Sequence, residues 1–129
     1  MIARVSVVVR DYDEAIDFYT SVLDFDLLED SRLSDQKRWV IVAPKGASEC
    51  ALLLAKAAND EQLSRVGNQT GGRVFLFLYT DNFARDFDRL LKHNVKIIRH
   101  PTSEPYGTVA VFADLYGNLW DLIETPAIK

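Results

Sequence analysis

The stretch Val5-Ser6-Val7-Val8-Val9-Arg10-Asp11 decides how the chain is organised, because a similar stretch returns 70 residues later. Its β-branched residues predict a strand, and Asp11 predicts the N-cap of a helix that follows directly. In the second half, Phe75-Leu76-Phe77-Leu78-Tyr79 takes the place of the strand and Asp81 the place of the cap (81 − 11 = 70). The chain therefore contains the same strand–helix opening twice.

The order of the remaining elements repeats as well. Apolar runs predict strands at residues 2–9, 25–29, 38–43 and 50–55, and again at 73–79, 95–99, 108–113 and 119–124. One amphipathic helix follows each predicted cap, and the polar residues at about 57–71 separate the two halves. We therefore predict an α+β fold of two βαβββ modules, at about 1–56 and 72–129, joined by that polar linker.

The composition excludes several classes of protein. The chain has 129 residues, of which 48% are hydrophobic and 26% charged, as in an ordinary globular domain. Its net charge of −4 includes no basic run, so we expect neither a nucleic-acid partner nor binding to an anionic membrane. No apolar stretch is long enough to span a membrane or to act as a signal peptide. Cys50 stands alone, so we expect no internal disulfide, no cysteine-based zinc site and a cytoplasmic location.

Several short motifs occur in a fixed order along the chain. They are Val5 to Asp11, Phe18-Tyr19, Leu23-Asp24-Phe25, Pro105-Tyr106-Gly107, and Phe112-Ala113-Asp114-Leu115-Tyr116-Gly117-Asn118-Leu119-Trp120-Asp121-Leu122. With the internal repeat, this order resembles the vicinal oxygen chelate superfamily of glyoxalases, bleomycin-resistance proteins and dioxygenases. The resemblance implies one domain over residues 1–129: an open, curved, eight-stranded mixed sheet around a cavity between the modules, with the helices on the outer face. It also implies a homodimer.

The resemblance further implies where a metal would be bound. In metal-using members each module supplies one ligand from its first strand and one from its last, and these positions correspond here to Arg4, Ala51, Val74 and Asp121. A guanidinium repels a metal ion, and alanine and valine have no donor atoms. We therefore predict no metal at these positions and no cofactor.

The same alignment suggests which residues bind a ligand. Because alternate strand residues share a face, Arg4 should face the cavity together with Ser6, and Val74 together with Leu76 and Leu78. Arg4 and Asp121 either form an ion pair in the space of the missing metal or are separate, solvated groups.

Two aromatic residues complete the predicted ligand-binding set. Trp39 either stacks on a planar ligand or packs in the core, and Tyr106 either reaches the ligand from its loop or packs in a turn. The predicted ligand-binding residues are Arg4, Ser6, Trp39, Tyr106 and Asp121, of which Arg4 and Asp121 are also candidate catalytic residues.

These observations favour a metal-independent protein of the glyoxalase/bleomycin-resistance type that binds a small, partly hydrophobic molecule. The alternative is a lyase, isomerase or dioxygenase with Arg4 as electrophile and Asp121 as base, or with a metal bound atypically. Acid–base work by Asp121 needs a pKa raised by burial, whereas a paired Arg4 would lower it, which favours binding over catalysis. A third interpretation is an interaction module whose pocket is filled.

Overall fold

The computed structural model describes residues 1–47 and 49–126, which form two compact units, Met1–Gln69 and Thr70–Lys129. In the first unit a π-helical turn, Phe18–Val22, extends the first helix. The regular elements of this unit are β1 (Arg4–Val9), α1 (Tyr12–Asp17), β2 (Asp26–Arg32), β3 (Arg38–Ala43), β4 (Ala51–Lys56) and α2 (Asp60–Arg65).

The second unit repeats the order of the first helix and the four strands. Its elements are β5 (Val74–Tyr79), α3 (Phe83–Lys92), β6 (Ile97–Glu104), β7 (Gly107–Ala113) and β8 (Leu119–Glu124). The strand orders are β1-β4-β3-β2 and β5-β8-β7-β6, and the first and last strands of each unit pair in parallel. The predicted α+β class with two βαβββ modules is confirmed, and the eight strands lie in two four-stranded mixed sheets.

Each sheet packs one face against its own helix. In the first unit Val7, Val40 and Leu54 are fully buried on that face, together with Tyr19 of the π-helical turn. In the second unit Trp120 and Leu122 of β8 are buried in the same way. We call the opposite face of each sheet, turned away from α1 or α3, its far face.

The helix caps agree with the prediction in the first unit and differ in the second. Asp11 caps α1, because its carboxylate accepts a hydrogen bond of 3.0 Å from the backbone N–H of Glu14. The cap of α3 is Asn82, whose side chain accepts from the N–H of Arg85 at 3.1 Å. The prediction of Asp81 was therefore wrong by one residue, since both residue types cap well and the spacing alone could not separate them.

The polar stretch between the modules contains a short helix that belongs to the first unit. Asn59 caps α2 by accepting from the N–H of Gln62 at 2.9 Å. Further on, the side chain of Gln69 donates to the carbonyl of Val8 at 3.3 Å, which ties the end of this stretch to β1. None of the helices in the described ranges is long and apolar enough to cross a membrane.

One glycine at the start of β7 supplies a test of the second sheet. Gly107 has φ +139°, and a Cβ at this position would overlap the backbone of Glu124 on β8. Because both the backbone conformation and the close approach exclude a side chain, we expect Gly107→Ala to lower the free energy of unfolding by about 3 kcal/mol. Urea denaturation measures this value.

The matched control is Gly46→Ala in the β3–β4 turn, where φ is +78° but no atom lies within 4 Å of the added Cβ. Only the cost of the positive φ remains there, so we expect Gly46→Ala to lower the free energy of unfolding by about 1 kcal/mol. Equal losses in the two variants would show that the contact with Glu124 does not matter.

Candidate functional site

The register of the first sheet determines which side chains share its far face. Arg4 lies opposite Ala51, Ser6 lies opposite Leu53, and Leu53 in turn lies opposite Ile41. Residues that pair directly across strands point to the same side of a sheet. The far face therefore combines the two polar residues of β1 with an apolar surface from β3 and β4.

Trp39 stands on this face at the start of β3, where the sheet borders a cavity. Its half-buried side chain packs against the buried cluster of Ile41, Ala43 and Ala51. It also lines the cavity, which measures about 400 Å³. The lining residues are Tyr12, Gln36, Lys37, Arg38, Trp39, Leu53, Leu54, Ala55, Lys56, Ala58 and Gln62. Trp39 therefore packs against the sheet and borders this cavity, and its predicted stacking on a ligand stays a prediction.

Arg38 fixes one wall of the cavity through a cluster of polar contacts. Its guanidinium donates to Asp30 at 3.0 and 2.7 Å and to Asp13 at 2.9 Å. It also lies over the ring of Tyr12, 5.1 Å from the centroid, and its backbone N–H donates to the Tyr12 hydroxyl at 3.2 Å. The hydrogen bonds from Arg38 lower the pKa of Asp30 below its usual value. Three elements (α1, β2 and β3) therefore meet at one side chain and hold the wall in place.

Arg4 and Ser6 lie on the same far face but outside the cavity lining. Both are exposed, and the guanidinium of Arg4 donates to the carbonyl of Ala3 at 2.9 Å. The hypothesis of an ion pair between Arg4 and Asp121 links residues of different units, and it stays a prediction. Tyr106 lies in the β6–β7 turn of the second unit with its side chain exposed, and its role in binding also stays a prediction.

Asp121 lies on the far face of the second sheet, on β8. It stands opposite Phe77 of β5 and Val111 of β7, and Val111 pairs with Arg99 on β6. Burial raises the pKa of Asp121, while the positive charge of Arg99 acts in the opposite direction. A half-buried carboxylate with this bias can hold a proton at a higher pH than an ordinary aspartate.

A β-bulge in β5 changes the predicted partners of Val74. The pairing moves from Val74–Leu119 to Leu76–Trp120, so one residue of β5 is extra between them. Leu76 therefore lies on the helix-covered face with Trp120, and the exposed Phe77 joins Asp121 on the far face. The predicted grouping of Val74 with Leu76 and Leu78 was wrong because the bulge interrupts the alternation.

The residues at the expected metal-binding positions do not fit a metal ion. Asp121 pairs with Val111 as Leu53 pairs with Ile41, 70 residues earlier on the third strand, so Leu53 and not Ala51 is the counterpart of Asp121. The β3–β4 connection, residues 44–50, is two residues longer than the β7–β8 connection, residues 114–118, and this explains the shift. Leucine offers no more donor atoms than alanine. Within residues 1–47 and 49–126, no three His, Cys, Asp or Glu side chains gather in a metal-binding arrangement.

Comparison with known proteins assigns the family. The sequence model of the Glyoxalase/Bleomycin resistance protein/Dioxygenase superfamily matches residues 1–122. The chain belongs to this superfamily. The resemblance inferred from the sequence motifs is thereby confirmed.

Three relatives of this superfamily member illustrate the match. A protein of Shewanella frigidimarina (strain NCIMB 400) is 56% identical over 124 residues, which cover 95% of this chain and 92% of that protein. The crystal structure of UcmS2 superposes with a TM-score of 0.82 at 29% identity, over 95% of this chain and 96% of the other. TnmS3, described as an antibiotic binding protein from Streptomyces sp. CB03234, gives a TM-score of 0.77 at 32% identity, over 98% and 96% of the two chains.

Sequence reasoning missed most of the cavity wall of this superfamily member. Tyr12, Arg38, Lys56 and Gln62 come from α1, β3, β4 and α2, and no motif joins them. One signal was available in the sequence. Arg38 directly precedes Trp39, so a charged residue stands next to an aromatic residue that was predicted to bind the ligand.

The raised pKa of Asp121 predicts how this residue affects stability. Because the folded state binds the proton more tightly than the unfolded chain, ionisation of Asp121 lowers stability once the pH rises above about 4, its ordinary value. We therefore expect Asp121→Asn to be more stable than the wild type at pH 7, and the gain to disappear as the pH falls to about 3, where both side chains are neutral. Thermal unfolding over this pH range measures the difference.

The control for this experiment is Asp35→Asn, which alters an exposed carboxylate in the β2–β3 connection. It removes the same charge at a solvent-exposed site, so the pH profile of Asp121→Asn is compared with that of Asp35→Asn. A less stable Asp121→Asn protein at pH 7 would mean that the carboxylate is stabilising as an anion, against the prediction.

Proposed function

We propose that the protein binds a small, partly hydrophobic molecule without a metal, in the cavity beside Trp39. The observation that carries the proposal is the cavity itself, about 400 Å³ in volume, with an indole and aliphatic side chains in its wall. This volume and lining are typical of sites for organic molecules. The ion cluster of Arg38 holds the wall in place before a ligand arrives, which reduces the ordering cost of binding.

The comparisons support this choice among the activities of the superfamily. TnmS3, which is 32% identical, is described as an antibiotic binding protein. A protein that sequesters a molecule needs shape and apolar surface, whereas a metalloenzyme of this fold needs donor atoms at positions that here hold arginine, leucine or alanine, valine and a single aspartate. We propose binding of an antibiotic-like compound as the working function, and we keep the homodimer and the cytoplasmic location as predictions.

Replacement of Trp39 tests the proposed site. Protein dialysed against EDTA would be screened by thermal shift with planar aromatic antibiotics, and compounds that raise the melting temperature would be titrated by calorimetry. We expect Trp39→Ala to weaken binding by about tenfold or more, because an aromatic side chain in an interface contributes both contact area and stacking. Trp39→Phe should retain part of the affinity.

Leu63→Ala is the matched control, since Leu63 is an exposed residue of α2 outside the cavity lining. Unchanged affinity in Trp39→Ala would place the ligand elsewhere. Affinity that depends on restoring a metal after dialysis would contradict metal-independent binding.

A second candidate function is acid–base catalysis by Asp121. Burial raises the pKa of Asp121 although the positive charge of Arg99 lowers it, and a raised pKa is what a general base of this type needs. The test uses whichever compound the screen provides. An enzyme would convert it to a product of different mass or structure, and Asp121→Asn would abolish turnover while keeping the affinity.

A compound recovered unchanged after prolonged incubation with wild-type protein would exclude turnover of that ligand. Conversion that proceeds equally well in Asp121→Asn would exclude Asp121 as the base.

A further inference from the structure

The cavity beside Trp39 carries positive charge in a protein that is negative overall. Lys37, Arg38 and Lys56 line it, and no carboxylate is found among the described residues of the lining. Arg38 is already paired with Asp13 and Asp30, so these five groups together leave a charge of +1 at this end of the sheet. The chain as a whole has a net charge of −4. The acidic first turn of α2, Asp60 and Glu61, lies outside the lining.

The two lysines of the lining differ in their ion pairing from Lys45 and Lys92, which have acidic partners. Lys45 pairs with Asp24 at 3.5 Å and Lys92 pairs with Asp88 at 2.9 Å. Within residues 1–47 and 49–126, neither Lys37 nor Lys56 forms an ion pair. Their ammonium groups are therefore available to a bound molecule.

Gln62 adds a polar group of fixed orientation. Its side-chain oxygen accepts a hydrogen bond of 2.7 Å from the backbone N–H of Ala58. This bond engages one lone pair of the carboxamide oxygen and leaves the two N–H groups of the carboxamide as donors. Like the lysines, Gln62 can therefore donate hydrogen bonds to an anionic group.

We infer that the cavity binds amphipathic anions: molecules with a flat apolar body against Trp39 and Leu53, and a carboxylate or similar anionic group directed to Lys37 and Lys56. The inference rests on the proposed function and adds the charge of the ligand. An anion gains from both ammonium groups, whereas a cationic ligand of the same shape meets repulsion. A neutral ligand keeps only the apolar contacts.

Three naphthalene probes of the same shape test the inference: naphthoate, which is anionic, naphthalenemethanol, which is neutral, and naphthylmethylamine, which is cationic. Calorimetry gives their dissociation constants, and the indole N–H signals in NMR spectra show where they bind. The chain has two tryptophans, and Trp120 is buried with its indole N–H on Asp114, so its signal is an internal reference for that of Trp39.

We expect naphthoate to bind about fivefold more tightly than naphthalenemethanol, and naphthylmethylamine to bind most weakly, which is the size of effect that two exposed charges give. In Lys37→Gln/Lys56→Gln this preference should disappear, while the affinity for the neutral probe stays the same and shows that the cavity is intact. The matched control, Lys45→Gln/Lys96→Gln, removes the same charge outside the lining and should keep the preference. Raising the salt concentration to about 0.5 M should reduce the preference of the wild-type protein for naphthoate, because exposed charges are screened.

The outcomes separate the inference from the function on which it rests. Equal affinity for the three probes, with the Trp39 signal shifted by each of them, would overturn the preference for anions and leave the binding site in place. A Trp39 signal that none of the probes moves would overturn the proposed function itself.

Discussion

In each unit the helix that follows the first strand packs against only one of the two faces of the sheet. The first and last strands of a unit pair in parallel, so the chain must cross over the sheet between them. The helix that follows the first strand, α1 in the first unit and α3 in the second, packs on one face of its own sheet. The residues of that side, such as Val7 and Trp120, are buried by the unit itself. Trp39 and Asp121 stand on the other, far face of their sheets. The cavity lies at the end of the first sheet, where Trp39 and Leu53 of the far face meet Tyr12 of α1 and Leu54 of the helix-covered face.

Arg38 joins this topology to the chemistry of the cavity. The guanidinium of Arg38 connects β2 to β3 through Asp30 and also pairs with Asp13 on α1. The side chain of Arg38 lines the cavity as well. A side chain with three sets of partners cannot turn towards a ligand without losing them. The charge that remains for recognition is therefore carried by Lys37 and Lys56, which form no ion pair in the part of the chain that the structure describes.

The sequence predicted the repeat, the order of helices and strands along the chain and the presence of Trp39 on the first sheet, because these depend on local patterns of apolar residues. The sequence did not predict the pairing where one or two extra residues shift the register. The bulge after Val74 turned Phe77 towards Asp121, and the longer β3–β4 connection made Leu53, not Ala51, the counterpart of Asp121. The cap of α3 was missed for a different reason, since Asn82 and Asp81 are both good capping residues and the spacing does not separate them. The cavity lay beyond prediction, since its lysines and Gln62 come from separate elements and meet only in three dimensions.

The position of Leu53 also limits how such a protein can diverge. It is the first-unit counterpart of Asp121, and at the same time its side chain forms part of the cavity wall. A mutation that introduced a carboxylate there would supply a donor atom for a metal and would remove apolar surface from the binding site in the same step. Metal chemistry and apolar ligand capture therefore compete for one residue, and a lineage that acquires one of them at this position gives up part of the other.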